Sequence, residues 1–518
     1  MERGAREYWR QRANDDWLIG HDNRSFFQSV DQTLQALEER SSPDAPLTVL
    51  IADVDPVQFL AHFVAACAAN CRVVLANPQW GAAERQQVFQ LVQPDVIWGT
   101  GDWALGTGEP HQRISVSMER YATEKRVLHA ARTKFNIQPA TGSLPLILIP
   151  TGGSSGSIRF AMHTWDTLMA SVQGFRQYFG VDRVCSFCVL PLYHVSGLMQ
   201  FLRSFTSGGR LIVQPFKAIE SGSYPDVDFS QFFFSLVPTQ LHRLLQSPNA
   251  SRLTSFRTVL LGGAPAWAEL LEQARSRRIP LAPTYGMTET ASQVVTLKPE
   301  AFLSGGTGCG QVLPHAAVTI RSPLGEVLAA NQTGIVTIAA ESLALGYYPT
   351  RFESDHFQTD DLGFFDDQGN LHLVGRRSDK IITGGENVFP AEVEAAIRST
   401  ELVADVCVVG VDDRHWGQVV SAIYVPRQAS LPADLLHTAL DGKLSRFKRP
   451  KRWIAVDRLP RNAQGKLNRD AVRAIVSDQM PTTADATESE HRVAESGGAS
   501  LDQYTRCESG RDSRGDRR

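Results

Sequence analysis

The chain predicts an α/β fold: a large N-terminal domain with mainly parallel sheets and a small β unit, followed by a smaller α+β C-terminal domain. Three observations predict it. Short apolar runs alternate with stretches of helical periodicity up to Val312, turn-separated segments follow, and a charged stretch then precedes a new helix start. With 518 residues and 42% hydrophobic content, the chain also exceeds what one core accommodates.

Taken in order, the apolar runs Leu47 to Ala52, Arg72 to Ala76, Val96 to Trp98, Pro145 to Ile149, Phe232 to Val237 and Thr258 to Leu261 read as strands. Thr164 can cap a helix whose apolar positions Leu168, Val172, Phe175 and Tyr178 recur every three or four residues. Pro238 sits where another helix begins, followed by Leu241, Leu244 and Leu245. From about Val312 to Tyr348, segments such as Ala317 to Arg321 and Ile335 to Ala339 form the small β unit. After Gly375 to Lys380, Pro390 opens a helix with Glu392 and Glu394 in its first turn. The expected division is a large domain over 1–378, a smaller one over 379–477 and a disordered tail over 478–518, which is rich in Ser, Thr, Gly, Asp and Arg.

Composition excludes several function classes. A formal net charge of −3 gives no broad basic surface, so nucleic acid is not an expected partner. No apolar run reaches the length of a membrane span, and the polar start and seven scattered cysteines fit a cytoplasmic protein. Cys185-x-x-Cys188 lacks a second pair to complete a metal cage and reads as structural, as do Cys67 and Cys71, one helical turn apart. A homo-oligomer is compatible with the sequence, which does not encode the state.

Thr151-Gly152-Gly153-Ser154-Ser155-Gly156 directly follows a buried apolar run, and a small-residue loop of this kind can wrap N–H groups and hydroxyls around a polyphosphate. It is not a Walker loop, because Gly156 is followed by Ser157, Ile158 and Arg159 rather than by Lys-Ser/Thr. Alone, such a cluster is usually a plain turn. Downstream, in order, stand Tyr193-His194-Val195-Ser196-Gly197, Gly262-Gly263-Ala264-Pro265, Tyr285-Gly286-Met287-Thr288-Glu289, Thr359-Asp360-Asp361, Gly375-Arg376, Gly384-Gly385-Glu386-Asn387 and Asn462-Ala463-Gln464-Gly465-Lys466.

This ordered series, from about Leu47 to Ala474, resembles the adenylate-forming acyl-CoA ligases. The wording around His194, Tyr285 to Gln293 and Gly384 to Val388 looks most like the branch that activates o-succinylbenzoate for menaquinone or phylloquinone synthesis. The resemblance implies ATP, Mg2+ and coenzyme A as cosubstrates and cofactor. It implies that a carboxylate attacks the α-phosphate of ATP, releasing pyrophosphate, and that the CoA thiol then displaces AMP.

It further implies roles residue by residue. Thr151, Gly152, Gly153, Ser154, Ser155 and Gly156 hold the β and γ phosphates; Glu289 ligates Mg2+ and Thr288 faces the α-phosphate. Tyr285, with Gly286 and Met287 behind it, offers a face to adenine, and Gly262, Gly263, Ala264 and Pro265 approach from the other side. Asp361, assisted by Arg376, accepts the ribose hydroxyls, and Lys466 reaches the α-phosphate. His194, Arg203 and Ser292 border the acid, with His194 ending an apparent strand and the Arg203 fork suited to a second carboxylate. Gly384, Gly385 and Glu386 line the CoA tunnel, and Asp379 is the hinge at which the mobile 379–477 domain turns against the adenylation domain, 1–378.

Read singly, each has a structural alternative: Glu289 as a helix-start acid, Asp361 as a turn residue, Lys466 as a solvated loop cation, Arg203 as a surface residue. Two departures from the family pattern stand out. Arg159 replaces a lysine, and Asp360 replaces the glycine of the usual Thr-Gly-Asp, putting a side chain on a glycine-compatible backbone. Other readings in view are a ligase for another aromatic or fatty acid, a peptide-synthetase adenylation module, and a non-catalytic nucleotide- or CoA-binding protein.

Overall fold

A computed structural model describes residues 4–13, 15–41, 46–99, 103, 145–152, 158–413, 415–428, 431–461 and 467–478. Gly153 to Gly156, Lys466 and the tail beyond Asp478 lie outside the described residues; Asp478 itself ends the helix Arg469–Asp478.

The α/β expectation holds. One seven-stranded sheet runs in the order Thr350–Arg351, Gly346–Tyr347, Ile158–His163, Ile147–Gly152, Arg72–Leu75, Thr48–Ala52, Val96–Gly99. Its last four strands pair in parallel. Strand Thr48–Ala52 is buried at every position, as a strand covered on both faces must be, and its neighbours are buried over Val73–Leu75 and Val96–Ile97. A second, eight-stranded sheet is parallel through Leu211–Val213, Cys185–Cys188, Phe232–Leu236, Thr258–Leu261 and Leu281–Met287, with Ser292–Thr296 added antiparallel. The helices Trp165–Phe179 and Val195–Ser207 supply Leu168, Leu198, Phe201 and Phe205 to the core they share with the first sheet.

The predicted caps form. Thr164 Oγ1 accepts from Thr167 N at 3.2 Å at the start of Trp165–Phe179, and Pro238 and Pro390 occupy first-turn positions of their helices. The small β unit is a four-stranded antiparallel sheet of Ala316–Arg321, Gly334–Ala340, Phe357–Phe365 and Leu371–Arg376, so it runs well past Tyr348. The long gap before Phe357 hid its second half. The C-terminal segment is α+β: Val403–Asp413 and Gly417–Pro426 pair over their whole length, with Pro390–Arg398 and Arg469–Asp478 packed on them.

Ile158–His163, absent from the expected strands, returns antiparallel to Ile147–Gly152, with Thr151 opposite Arg159. Two local expectations need correction. The strand before His194 is confined to Cys185–Cys188, and His194 is the N-cap residue of Val195–Ser207 in extended conformation (φ −103°, ψ 151°), not a strand end. Cys71 lies beyond the helix Pro56–Ala68 that carries Cys67; these and Cys185, Cys188, Cys309 and Cys407 are all free thiols.

Candidate active site

In open α/β sheets, ligands sit beyond the carboxyl ends of strands. Here Thr151 at the end of Ile147–Gly152 donates its hydroxyl to Glu289 Oε1 at 3.3 Å, tying the first sheet to the turn that follows Leu281–Met287 in the second. Glu289 is 7% exposed. Its Oε1 also accepts the Tyr347 hydroxyl at 2.6 Å, and among the described residues no donor reaches Oε2. Arg159 packs its guanidinium over the Tyr347 ring, 4.5 Å from the centroid. Mg2+ favours one or two carboxylates plus substrate phosphates and water. A buried carboxylate with one oxygen held and the other open fits that ion.

The turn carrying Glu289 is held from three sides. Ser171 Oγ donates to Ala291 O at 2.7 Å and Ser342 Oγ donates to Thr290 O at 2.9 Å. The fully buried His163 lies 2.8 Å, through Nε2, from the Thr288 carbonyl and 3.1 Å, through Nδ1, from Thr167 Oγ1. Burial lowers the His163 pKa to about 4, so the ring is neutral. A neutral ring bonded to a carbonyl must carry its proton on Nε2. Ala291 and Ser292 both take positive φ, 50° and 90°, a conformation that costs a non-glycine residue about 1–3 kcal/mol and persists where neighbours over-determine it. Gly286 lies alongside, where a Cβ would meet Ser292 O at 2.1 Å.

On the other side of Leu281–Met287, the Tyr285 hydroxyl donates to Asp361 Oδ2 at 2.7 Å and Arg376 Nε donates to Oδ1 at 3.2 Å. Asp361 and Arg376 are direct cross-strand partners, which fixes this pair by register. A carboxylate has about four acceptor sites, so two protein donors leave room for two hydroxyls. Tyr285 is 7% exposed, and its phenol pKa is raised by burial and by the Asp361 charge. Gly262 follows Thr258–Leu261 with Thr284 Oγ1 2.5 Å from where a Cβ would stand, and Gly263 needs its positive φ of 80°. Ala264 and Pro265 continue that loop at the surface.

Arg203 is not a surface residue. It is 2% exposed on Val195–Ser207, stacks 4.1 Å above the Phe175 ring and donates from Nη2 to Ser292 Oγ at 3.3 Å. Among the described residues no carboxylate pairs with it and Nε has no partner. Burial pulls its pKa down to about 9. A buried cation without a counter-charge is expensive, and a bound anion would relieve it. His194 lies one helix start away, its ring 4.5 Å from Tyr193.

Gly384 and Gly385 form the two-residue turn between Ile381–Thr383 and Glu386–Val388, both with positive φ as such a hairpin requires, and Glu386 is exposed. Asp379 is bound by Arg469 Nε at 3.3 Å and Arg473 Nη2 at 3.2 Å. Asp360 lies inside the strand Phe357–Phe365 and is absent from the positive-φ residues, so its backbone has no need of glycine. Its carboxylate instead accepts the Ser378 N–H at 3.2 Å and the Ser378 hydroxyl, while its carbonyl accepts Arg377 N at 2.8 Å.

The sequence motifs thus bring together two clusters, Thr151 with Glu289 and Tyr285 with Asp361 and Arg376, and a third around Arg203 and Ser292. Tyr347 and His163 belong to the first cluster and were not found from the motifs. Tyr347 lies in none of the strings quoted above, and a buried histidine in an apolar strand carries no sequence signal of its role.

A buried carboxylate with an oxygen to spare, a second carboxylate with acceptor sites for vicinal hydroxyls and a small-residue loop at a strand end together suit a nucleotide. The family model for AMP-binding enzymes matches residues 41–348, more than half of the chain, and that for the AMP-binding enzyme C-terminal domain matches 392–466. The chain belongs to the AMP-binding, adenylate-forming enzymes, and among them to the acid–CoA ligases. A 2-succinylbenzoate–CoA ligase of Geobacillus kaustophilus (strain HTA426) is 35% identical over 339 residues, covering 63% of this chain and 68% of that protein. One from Listeria monocytogenes serovar 1/2a is 34% identical over 337 residues, covering 62% and 68%. Among solved structures, the o-succinylbenzoate coenzyme A synthetase (MenE) of Bacillus subtilis in complex with AMP matches with TM-score 0.73 and 25% identity, over 91% of this chain and 98% of that one. That enzyme has also been solved with ATP and a magnesium ion. Among the described residues no helix is long and apolar enough to cross a membrane.

Proposed function

We propose that this chain joins o-succinylbenzoate to coenzyme A through an acyl adenylate, releasing pyrophosphate and then AMP, as a step toward menaquinone or phylloquinone. The observation that carries the choice of acid is Arg203, buried and bonded only to Ser292 among the described residues. A dicarboxylic acid presents one carboxylate for activation and a second for this guanidinium. A monocarboxylic aromatic or fatty acid would leave the buried charge uncompensated.

In this reading, Glu289 would hold Mg2+, whose charge would offset that of the phosphates, and Thr288 with the Thr151 to Gly156 loop positions the phosphates. Tyr285 and the Gly262 to Pro265 loop take the adenine, and Asp361 with Arg376 takes the ribose. Lys466 compensates charge that develops at the α-phosphorus, where fixed cations contribute most. His194 borders the acid. Gly384 to Glu386 line the thioester-forming passage, and the 379–477 segment turns at Asp379 between the two half-reactions. A panel of mono- and dicarboxylic acids with ATP, Mg2+ and CoA, read by mass spectrometry of the thioester, tests the assignment. The o-succinylbenzoyl thioester should dominate; a panel in which benzoate-type or fatty acids outcompete it would refute the choice of acid.

A further inference from the structure

His315 has no part in the chemistry described so far. It lies between Gln311–Val312 and Ala316–Arg321, is 7% exposed, and among the described residues neither ring nitrogen has a hydrogen-bond partner. Buried polar atoms are nearly always paired, so two orphaned nitrogens on one ring call for an explanation.

The surroundings supply one. The imidazole rests on Gly174 in the middle of Trp165–Phe179, where a Cβ would fall 1.8 Å from Nδ1. Glycine in a helix interior costs roughly 1 kcal/mol relative to alanine, and here the vacated space is filled by that ring. The next residue, Phe175, is the platform under the Arg203 guanidinium. His315 and Arg203 therefore stand on adjacent residues of one helix, and the Arg203 charge adds to the burial that lowers the His315 pKa to about 4.

We propose that His315 is a further specificity-determining residue, its neutral imidazole N–H joining Arg203 and Ser292 in holding the second carboxylate of a dicarboxylic substrate. This rests on the acid assigned above. A carboxylate accepts more hydrogen bonds than one arginine fork supplies. A neutral donor adds one without placing a second positive charge beside a guanidinium that is already poorly solvated, which a lysine would do.

The test compares His315→Leu, which removes the donor, with His315→Gln, which keeps one, using o-succinylbenzoate and benzoate as acids. His315→Leu should raise KM for o-succinylbenzoate roughly 10- to 100-fold, the size of one hydrogen bond to a charged group, with kcat and all benzoate constants unchanged. His315→Gln should recover most of that loss. Equal effects of the two variants, or equal effects on the two acids, would overturn the proposal. Should His315→Leu fail to fold, the ring 15N resonances of the wild-type chain decide: o-succinylbenzoate should shift the His315 signals, and unmoved signals under saturating acid refute the contact. A wild-type enzyme that uses benzoate but no dicarboxylic acid would instead refute the parent assignment, an outcome visible before any variant is made.

Discussion

The Tyr347 hydroxyl donates to Glu289 Oε1 at 2.6 Å, and the same oxygen takes the Thr151 hydroxyl. Two neutral donors on one oxygen hold the carboxylate in one rotamer and leave the other oxygen without a donor among the described residues. Burial and the Glu289 charge raise the Tyr347 phenol, so it remains a donor throughout the working pH range.

Tyr347→Phe should lower kcat/KM for ATP roughly 10- to 100-fold, as expected for losing a hydrogen bond to a charged group, and raise the Mg2+ concentration needed for half-maximal pyrophosphate release. Titrating Mg2+ in the pyrophosphate assay checks it. An unchanged Mg2+ dependence would remove Glu289 from the metal.

Arg203→Leu should abolish o-succinylbenzoate use while sparing benzoate-like acids. Removing a buried cation without a counter-charge should also raise the melting temperature, because an apolar side chain suits that site better. Thermal melts with and without o-succinylbenzoate separate the two effects: the acid should stabilise the wild type and leave the variant where it was. A lower melting temperature for the unliganded variant would argue that the guanidinium has a counter-charge in the folded protein.

Acid should destabilise the fold through its buried histidines. The His163 pKa is lowered by burial to about 4 against an ordinary 6.5, so the unfolded chain binds the extra proton. Stability from the neutral ring is present above pH 6.5 and is lost as pH falls from 6.5 toward 4, on the order of 3 kcal/mol for this one group. Denaturant unfolding at pH 7 and pH 5 measures it. His163→Gln, which keeps a donor for Thr288 O, should flatten that dependence; an equal slope in the variant would assign the acid sensitivity elsewhere.

Lys466→Ala should block adenylate formation and leave conversion of supplied acyl adenylate to the thioester largely intact. Single-turnover assays of each half-reaction decide it. Equal impairment of both would contradict a role confined to the first step.

Much of this was legible in the chain. Thr164, Pro238 and Pro390 announced their helices because caps and first-turn prolines act locally. Asp361 and Arg376 were readable from motif order, although only the strand register explains why they touch. What stayed hidden depends on contacts between distant segments. The hydroxyl of Tyr347 meets Glu289 only because its short strand joins the edge of the first sheet beside Ile158–His163. The burial of Arg203 follows from the packing of two helices against Ser292–Thr296, which no local pattern on its own helix reveals. Asp360 looked like a strained substitution, yet the strand it occupies accepts any residue and its carboxylate found Ser378 instead.

Ser378 is clasped by Asp360 on one side, while its neighbour Asp379 is clasped by Arg469 and Arg473 on the other. Adjacent residues are thus bolted to different parts of the molecule. Any swivel of the 379–477 segment would have a single peptide link as its axle, and loosening the bolt at Asp360 would let the turning point creep backward along the chain.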